Sequence, residues 1–210
     1  MKKIPGYVRT SARKIPIQSR SRVAVSSILE AAARILEVGD LAYFNTNAIA
    51  ESAGVSVGTL YQYFPDKSAV LTGLIESEID RSLQAMEKSA SSADIGSKVE
   101  YALAAMVMSL QSRAALSQVL LVNEPLLFMD GDRTPFEERM LERFSVFVRE
   151  DTGCGRCDKA ITLQLVGMSK GLLLEASLRD SLLDTGLAQR ISRLGGQLVA
   201  DSSHSDCGRK

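Results

Sequence analysis

Residues 45–67 read NTNAIAESAGVSVGTLYQYFPDK and contain two short helical patterns separated by a tight turn. Apolar side chains recur at helical spacing in both patterns: Ile49, Ala50 and Ala53 in the first, and Val57, Leu60 and Phe64 in the second. Gly54 lies between the patterns, where a sharp turn needs a residue that readily adopts a positive φ. Two short helices joined in this way are typical of the helix-turn-helix, whose second helix lies in the major groove of DNA.

The side chains on the other faces of the second helix are small, hydroxylated or amide-bearing, which suits contacts with phosphates and base edges. We expect base contacts from Ser56, Val57, Thr59 and Gln62, with Val57 packing on a thymine methyl group. We expect phosphate contacts from Tyr61, Tyr63, Lys67 and Thr46, and Thr46 is also expected to cap the first helix. The complete predicted DNA-binding set is Thr46, Asn47, Ser56, Val57, Gly58, Thr59, Tyr61, Gln62, Tyr63 and Lys67. The alternative is that these residues only cover the surface of a helical hairpin.

The same stretch resembles the tetracycline-repressor (TetR) family of bacterial regulators. The family pattern is a Thr-led helix, then IAxxAGVSxGTLYxYF, then a short polar step that ends in Lys. The matching residues are Ile49-Ala50, Ala53-Gly54-Val55-Ser56, Gly58-Thr59-Leu60-Tyr61, Tyr63-Phe64 and Lys67. The resemblance covers approximately residues 20–75. It implies an all-α fold with an N-terminal three-helix DNA-binding domain and a C-terminal helical domain for ligand binding and dimerisation.

Charge is distributed unevenly along a chain whose formal net charge is zero. Residues 1–22 contain seven basic side chains and no acidic one. Residues 1–70 carry a net charge of +4, which leaves −4 for the rest of the chain. A basic N-terminal part fits one DNA-facing end. The first 22 residues either follow the DNA backbone or enter its minor groove, as homeodomain arms do, or they form a solvated tail.

The length and composition of the chain argue against several classes of protein. At 210 residues with 45% hydrophobic content, the chain is long enough to bury a core. It lacks an apolar run near the roughly 18–20 residues that span a membrane, and it lacks the apolar segment of a signal peptide, so we expect a cytoplasmic protein. An enzyme is not supported, because the only histidine is His204 and no Gly-rich phosphate loop occurs. No cofactor is expected.

Helical periodicity and turn residues divide the chain into four parts. These are a flexible basic arm over residues 1–19, the helix-turn-helix domain over 20–66, a helical regulatory and dimerisation domain over 67–200, and a tail over 201–210. Pro125 is expected to kink or break the sixth of nine predicted helices. Gly195-Gly196 interrupts the ninth, which indicates tight packing there, because each Gly costs about 1 kcal/mol relative to Ala in a helix.

Helices eight and nine end the chain with broad apolar faces. In the family these two helices form a four-helix interface with a second copy, and Gly167 and Gly171 would let another helix approach closely. We therefore predict a homodimer whose interface includes Leu165, Gly171, Leu172, Leu187, Ile191, Leu194 and Leu198. The alternative is that these residues form the core of a single chain. A two-fold dimer places its two reading heads in major grooves about 34 Å, or a multiple of that distance, apart.

A ligand pocket among helices four to eight is implied by the family resemblance. The predicted lining is Met106, Leu110, Leu121, Phe128, Phe144 and Met168, although an apolar stripe is more often plain core. Polar candidates for orienting a ligand are Asn123, Glu124, Gln164 and Glu175. The abundance of Leu and Met favours an apolar or amphipathic effector.

The cysteines and the single histidine offer a different kind of site. Cys154 and Cys157 form CxxC in a turn-rich segment, and His204 and Cys207 form HxxC near the end of the chain. Together these four residues match the ligand set of a Cys₃His zinc site. The other interpretations are a redox switch at Cys154 and Cys157, or three unrelated thiols in a reducing compartment.

These observations predict a homodimeric repressor that a small-molecule effector releases from a palindromic operator. The effector would shift helix four and change the separation of the two recognition helices. The alternative is a metal- or redox-sensing regulator that uses Cys154, Cys157, His204 and Cys207. An activator, or an architectural DNA-binding protein without an effector, also fits the pattern.

Overall fold

Apolar residues repeating every 3.6 positions make this chain helical. The structure, a computed structural model, describes residues 19–39, 42–92, 96–127, 135–153 and 158–206. All regular secondary structure in these ranges is α-helical, in the order α1 Ser19–Val38, α2 Thr46–Ala53, α3 Val57–Tyr63, α4 Lys67–Ser91, α5 Lys98–Gln111, α6 Ala114–Leu127, α7 Pro135–Thr152, α8 Asp158–Leu178 and α9 Leu187–Asp206. The predicted all-α fold is confirmed.

α6 continues through Pro125 to Leu127, so Pro125 does not end the helix. Another helix extends further than its sequence pattern predicts. α9 continues to Asp206, so residues 201–206 are helical rather than part of the predicted tail. The reason is local, because no Gly or Pro occurs between Gly196 and Gly208 to end the helix.

The chain packs as two compact units, which comprise residues 1–78 with 115–132 and residues 79–114 with 133–210. The first unit contains α1, α2, α3 and nearly all of α6, and the second contains α5, α7, α8 and α9. α4 begins in the first unit and passes into the second after Glu78. The domain boundary predicted between residues 66 and 67 stays a prediction.

The core of the first unit forms where the apolar faces of its short helices meet. Its largest buried side chains include Ile28, Leu36, Phe44, Ile49, Leu60 and Phe64. The start of α4 approaches this core closely at Gly73. A Cβ atom built there would lie 3.1 Å from Phe64 Cε1 and 3.4 Å from Leu29 Cδ2. A glycine at this position therefore lets α4 lie directly against the residue that ends α3.

The second unit is built around α5, which packs against α9 at two consecutive glycines. A Cβ atom at Gly195 would overlap the side chain of Leu103, and one at Gly196 would overlap the carboxylate of Glu100. Leu103 is completely buried. The tight packing predicted at Gly195-Gly196 is therefore confirmed, and it explains why α9 continues through two residues of low helix propensity.

The first turn of α5 is capped by a carboxylate from the end of α7. Asp151 accepts hydrogen bonds from Ser97 Oγ at 2.7 Å and from the backbone N–H groups of Lys98 and Val99 at 2.9 and 3.0 Å. A negative charge at this point also interacts favourably with the helix dipole. Asp151 thus fixes the N-terminal end of α5 within the second unit.

No single helix among the residues that the structure describes is both long enough and apolar enough to cross a membrane. Only α5 and the first part of α6, taken together across a sharp bend, reach that length and apolarity.

Candidate DNA-binding site

The start of α2 is capped by Asn45, and the cap predicted at Thr46 is wrong. Asn45 has an extended backbone, and its side-chain oxygen accepts a hydrogen bond from the N–H of Ala48 at 3.0 Å. Thr46 is instead the first residue of the helix. Asn is among the preferred cap residues, so a signal for this arrangement was present in the sequence. The consequence is that the Thr46 hydroxyl is not used as the cap.

The turn between α2 and α3 depends on Gly54, as predicted. Gly54 adopts φ +69°, a left-handed conformation that L side chains rarely occupy. Its N–H bonds to the carbonyl of Glu51, and the N–H of Val55 bonds to the carbonyl of Ala50 at 3.0 Å. These two bonds form a Schellman motif, which ends α2 sharply and sends the chain into α3.

α3 is capped at its start and anchored by two buried side chains. Ser56 Oγ accepts a hydrogen bond from the N–H of Thr59 at 3.0 Å, so the predicted cap is confirmed. Leu60 is completely buried and Phe64, the residue after α3, is nearly so. Val57 departs from the predicted apolar face, because 37% of it is exposed. It is therefore accessible for the predicted contact with a base.

The predicted DNA-binding residues remain accessible to different degrees. Six are exposed, namely Asn47, Ser56, Val57, Gly58, Tyr61 and Gln62, and four are half-buried, namely Thr46, Thr59, Tyr63 and Lys67. Lys67 begins α4, directly after Asp66, whose carboxylate caps that helix by accepting from the N–H of Ala69 at 2.8 Å. The roles assigned to all ten residues stay predictions.

One contact joins the two helices of the motif at their polar surface. The hydroxyl of Thr46, at the start of α2, lies 3.2 Å from the hydroxyl of Tyr61 on α3. The pattern predicts both residues as phosphate contacts but does not predict that they touch. Together they place two hydroxyl groups beside the N–H groups at the N-terminal end of α2, which is an arrangement suited to an anion.

The comparison with known proteins locates the family in this region of the chain. Residues 28–74 match the family described as bacterial regulatory proteins of the tetR family. This segment runs from α1 to the first part of α4 and includes the whole helix-turn-helix. These residues form a TetR-family helix-turn-helix segment. The predicted resemblance is thereby confirmed.

A related sequence is an uncharacterised HTH-type transcriptional regulator from Mycobacterium tuberculosis, strain CDC 1551. It is 39% identical over 62 residues, which cover 30% of this chain and 31% of the relative. The match therefore spans about a third of the length of that protein. The named relatives are transcriptional regulators and not enzymes.

Solved structures extend the likeness of fold over most of the chain. The fatty acid degradation regulator FadR from Bacillus halodurans superposes with a TM-score of 0.65 at 19% identity, covering 88% of this chain and 97% of that one. SmeT, solved in a complex with triclosan, gives 0.57 at 19% identity, covering 85% and 90%. At such low identity these similarities establish the fold.

The residues predicted for a TetR-family dimer interface fall into three groups. Leu165, Leu187 and Ile191 are buried within the single chain, and Leu172 and Leu198 are half-buried. Gly171 and Leu194 are exposed, and a Cβ atom added at Gly171 or at Gly167 would meet nothing within 4 Å. The buried group belongs to the core of the second unit, and the exposed group lies on its surface. The role of these residues in a dimer stays a prediction.

The residues predicted to line a pocket or to orient a ligand also differ in burial. Met106, Leu110 and Phe144 are buried, Leu121 and Met168 are half-buried, and Phe128 lies outside the described residues. Of the polar candidates, Asn123 and Glu124 are buried, whereas Gln164 and Glu175 are exposed. Asn123 Nδ2 donates to the carbonyl of Val119 at 2.7 Å. Gln164 and Glu175 therefore do not face the interior, and Glu175 pairs with Arg179 on the surface instead.

The predicted zinc or redox site stays untested. Cys154, Cys157 and Cys207 lie outside the described residues, and so does the side chain of His204. Within the part of the chain that the structure describes, no group of three or more His, Cys, Asp or Glu side chains is placed to hold a metal ion.

Proposed function

We propose that this protein is a sequence-specific DNA-binding transcriptional regulator that acts as a homodimer on a palindromic operator. The observation that carries the proposal is the form of α3. The buried side chains of Leu60 and Phe64 anchor α3 in the core, while Ser56, Val57 and Gln62 are exposed along it. A short helix with a rigid apolar base and a small polar outer face fits the major groove. Such a role requires access to chromosomal DNA, which is available in the bacterial cytoplasm.

Within this proposal, base reading and backbone positioning fall to different residues. Val57 packs on a thymine methyl group, and Ser56, Thr59 and Gln62 hydrogen-bond to base edges. The Thr46–Tyr61 hydroxyl pair binds one phosphate together with the N-terminal end of α2, and Lys67 adds a positive charge. Phosphate contacts fix the register of α3 on the duplex, but they carry no sequence information themselves.

The homodimer is proposed from an apolar surface on the last two helices. On α8, Leu163 and Leu178 are 40% and 47% exposed, and between them Gly167 and Gly171 leave open space above the backbone. On α9, Leu194 is 45% exposed. Glycines spaced four residues apart on one helix face allow a second helix to approach closely. A two-fold copy of this surface would bury these leucines and bring two α3 helices to one operator.

The effector is proposed to be a small apolar or amphipathic molecule that binds in the C-terminal helical part, near Met106 and Phe144. Two fold relatives support this chemistry, since one is a regulator of fatty acid degradation and the other was solved in a complex with triclosan. We propose that the protein represses transcription when it is bound to the operator. Effector binding favours the conformation with low DNA affinity, and the operator is released in proportion to the difference in effector affinity between the two states.

The first test is selection of random DNA duplexes by the purified protein at near-physiological salt. We expect enrichment of one inverted repeat. Binding without any enriched motif, which collapses as salt rises, would mean that the contact is only electrostatic and would end the proposal.

The second test uses two matched tyrosines. Tyr61 and Tyr101 are 42% and 43% exposed, but only Tyr61 belongs to the proposed DNA surface. Tyr61→Ala should weaken binding to the selected operator roughly 10- to 100-fold, because a hydrogen bond to a charged group contributes about 1.5–3 kcal/mol. Tyr101→Ala should leave binding unchanged. Equal effects of the two substitutions would remove Tyr61 from the site.

A further inference from the structure

α4 carries a set of polar contacts just after it enters the second unit. Its residues up to Glu78 belong to the first unit, and its residues from Ile79 belong to the second. Arg81 and Ser82 follow three and four positions after Glu78, and both contact the C-terminal end of α5. These contacts differ from the ion pairs on this half of α4 in their partner, because they reach α5 whereas the ion pairs reach α7.

Arg81 reaches the last turn of α5 with both guanidinium nitrogens. Its Nη1 donates to Ser112 Oγ at 3.2 Å, and its Nη2 donates to the carbonyl of Ser109 at 3.4 Å. Ser112 is the C-terminal cap of α5, and its hydroxyl donates to the same Ser109 carbonyl at 2.7 Å. The positive charge thus lies at the negative end of the α5 dipole, where such a charge is stabilised. Ser82 Oγ adds a longer contact to Ser109 Oγ at 3.5 Å.

The helix α5, which Arg81 contacts at its C-terminal end, is held within the second unit at other points along its length. The opposite end of α5 is capped by Asp151, and the body of the helix packs on Gly195 and Gly196 of α9. Two exposed ion pairs, Asp80–Arg139 and Glu87–Arg143, also join this half of α4 to α7. Exposed pairs of this kind contribute little, typically about 0–1 kcal/mol, so we assign the main role to the half-buried Arg81.

We propose that Arg81, Ser82, Ser109 and Ser112 form an anchor that sets the direction in which α4 leaves the second unit, with Arg81 as its principal positioning residue. In the dimer this anchor sets the separation of the two α3 helices and hence the operator half-site spacing that the protein accepts. The inference rests on the proposed function. Arg81 itself touches neither DNA nor effector and acts through the helix that carries it.

The geometry of α4 makes a small movement at the anchor large at the DNA-binding end. The helix rises 1.5 Å per residue, so Lys67 lies about 21 Å along the axis from Arg81. A tilt of about 10° at Arg81 therefore displaces the start of α4 by about 4 Å, which is close to the rise of one base pair at about 3.4 Å. The close contact of Gly73 with Phe64 joins this part of α4 to the residue that ends α3.

The test compares Arg81→Met with the wild type on a series of operators. The series uses the inverted repeat selected by the wild type, with the half-sites at the selected spacing and at one base pair more and less. If loosening the anchor leaves a tenth of the molecules in the binding conformation, the variant binds the selected operator about tenfold more weakly. The ratio of its affinity for the selected spacing to its affinity for the altered spacings should also fall towards one.

The spacing preference separates positioning from a merely structural effect. A variant that is only less stable loses active molecules equally on every operator, so its spacing preference stays that of the wild type. That result would overturn the proposal, as would operator binding equal to or tighter than that of the wild type. Arg81→Lys keeps the positive charge and should recover part of the preference. Glu87→Gln removes an exposed ion pair of α4 that does not reach α5, and it should behave as the wild type.

A second variant keeps the test informative if Arg81→Met does not fold. Ser112 is exposed, so Ser112→Ala removes an acceptor of Arg81 without disturbing the core. It should reduce the spacing preference in the same direction but less. A folded Ser112→Ala with unchanged preference would then overturn the proposal. If the wild type itself selects no inverted repeat, the proposed function fails instead, and the two failures are distinguishable.

Discussion

Gly195→Ala should destabilise the protein because α9 lies against α5 with no room for a methyl group. The added Cβ would overlap Leu103 Cδ1 and would lie 3.3 Å from Leu165 Cδ2. Both leucines are completely buried, so neither side chain can turn into solvent. The helices must separate, or Leu103 must leave its rotamer. Overpacking of this kind costs about 1–3 kcal/mol.

The helix propensity of alanine opposes this cost and has to be cancelled by a control. Alanine is favoured over glycine inside a helix by about 1 kcal/mol. Gly196→Ala has the same propensity gain, but its Cβ would meet only Glu100, whose exposed side chain can turn away. The difference between the two variants therefore isolates the overpacking at Leu103. A difference of about 1–3 kcal/mol corresponds to about 2–12 °C in Tm for a chain of this size.

The assay is urea and thermal unfolding followed by circular dichroism, with both variants at the same protein concentration because the proposed dimerisation would make stability depend on concentration. We expect Gly195→Ala to have the lower urea midpoint and the lower Tm. Equal midpoints would show that Leu103 relaxes without cost, and the explanation given for the two consecutive glycines would be refuted.

Three further substitutions test other contacts of the second unit. Gly171→Leu adds a side chain where the single chain has open space, so it should convert the dimer to a folded monomer in sedimentation velocity, and a retained dimer would place the interface elsewhere. Asp151→Ala removes the acceptor of the Lys98 and Val99 N–H groups but leaves the N-cap Ser97, and it should lower the free energy of unfolding by about 1–2 kcal/mol in urea titrations, whereas an unchanged midpoint would contradict that role. The hydrogen bond from Arg190, with that from the N–H of Gly186, lowers the pKa of Asp184, so its stabilising contribution is present at neutral pH and is lost as pH falls through the lowered pKa. Arg190→Gln should raise this pKa in a carboxyl NMR titration, and an unmoved pKa would remove Arg190 as the cause.

The helix-turn-helix could be predicted from sequence because its determinants are local. The positive φ of Gly54, the cap at Ser56 and the burial of Leu60 each depend on residues within one or two turns. One local error was the cap of α2, where two adjacent residues, Asn45 and Thr46, both had suitable side chains. The backbone decided between them, since Asn45 is extended and Thr46 is helical.

The contacts that connect distant helices could not be predicted from sequence. Arg81 meets a serine 31 positions away, and Asp151 meets the start of α5 more than 50 positions earlier. Periodicity identifies an apolar face but does not say which neighbour covers it. For this reason the predicted dimer residues included Leu165, which faces the interior of its own chain, together with Leu194, which is exposed.

The two comparisons differ in extent, and the difference has a physical reason. Sequence identity of 39% is confined to 62 residues, whereas structural similarity at 19% identity covers 88% of the chain. A helical core needs apolar residues of suitable volume at the right spacing, and many sequences meet that condition. An effector site instead depends on the individual side chains that face the ligand. The fold of the second unit is therefore shared with its relatives, while its ligand has to be identified on this protein, for example by the rise in Tm that a compound binding only the folded state must produce.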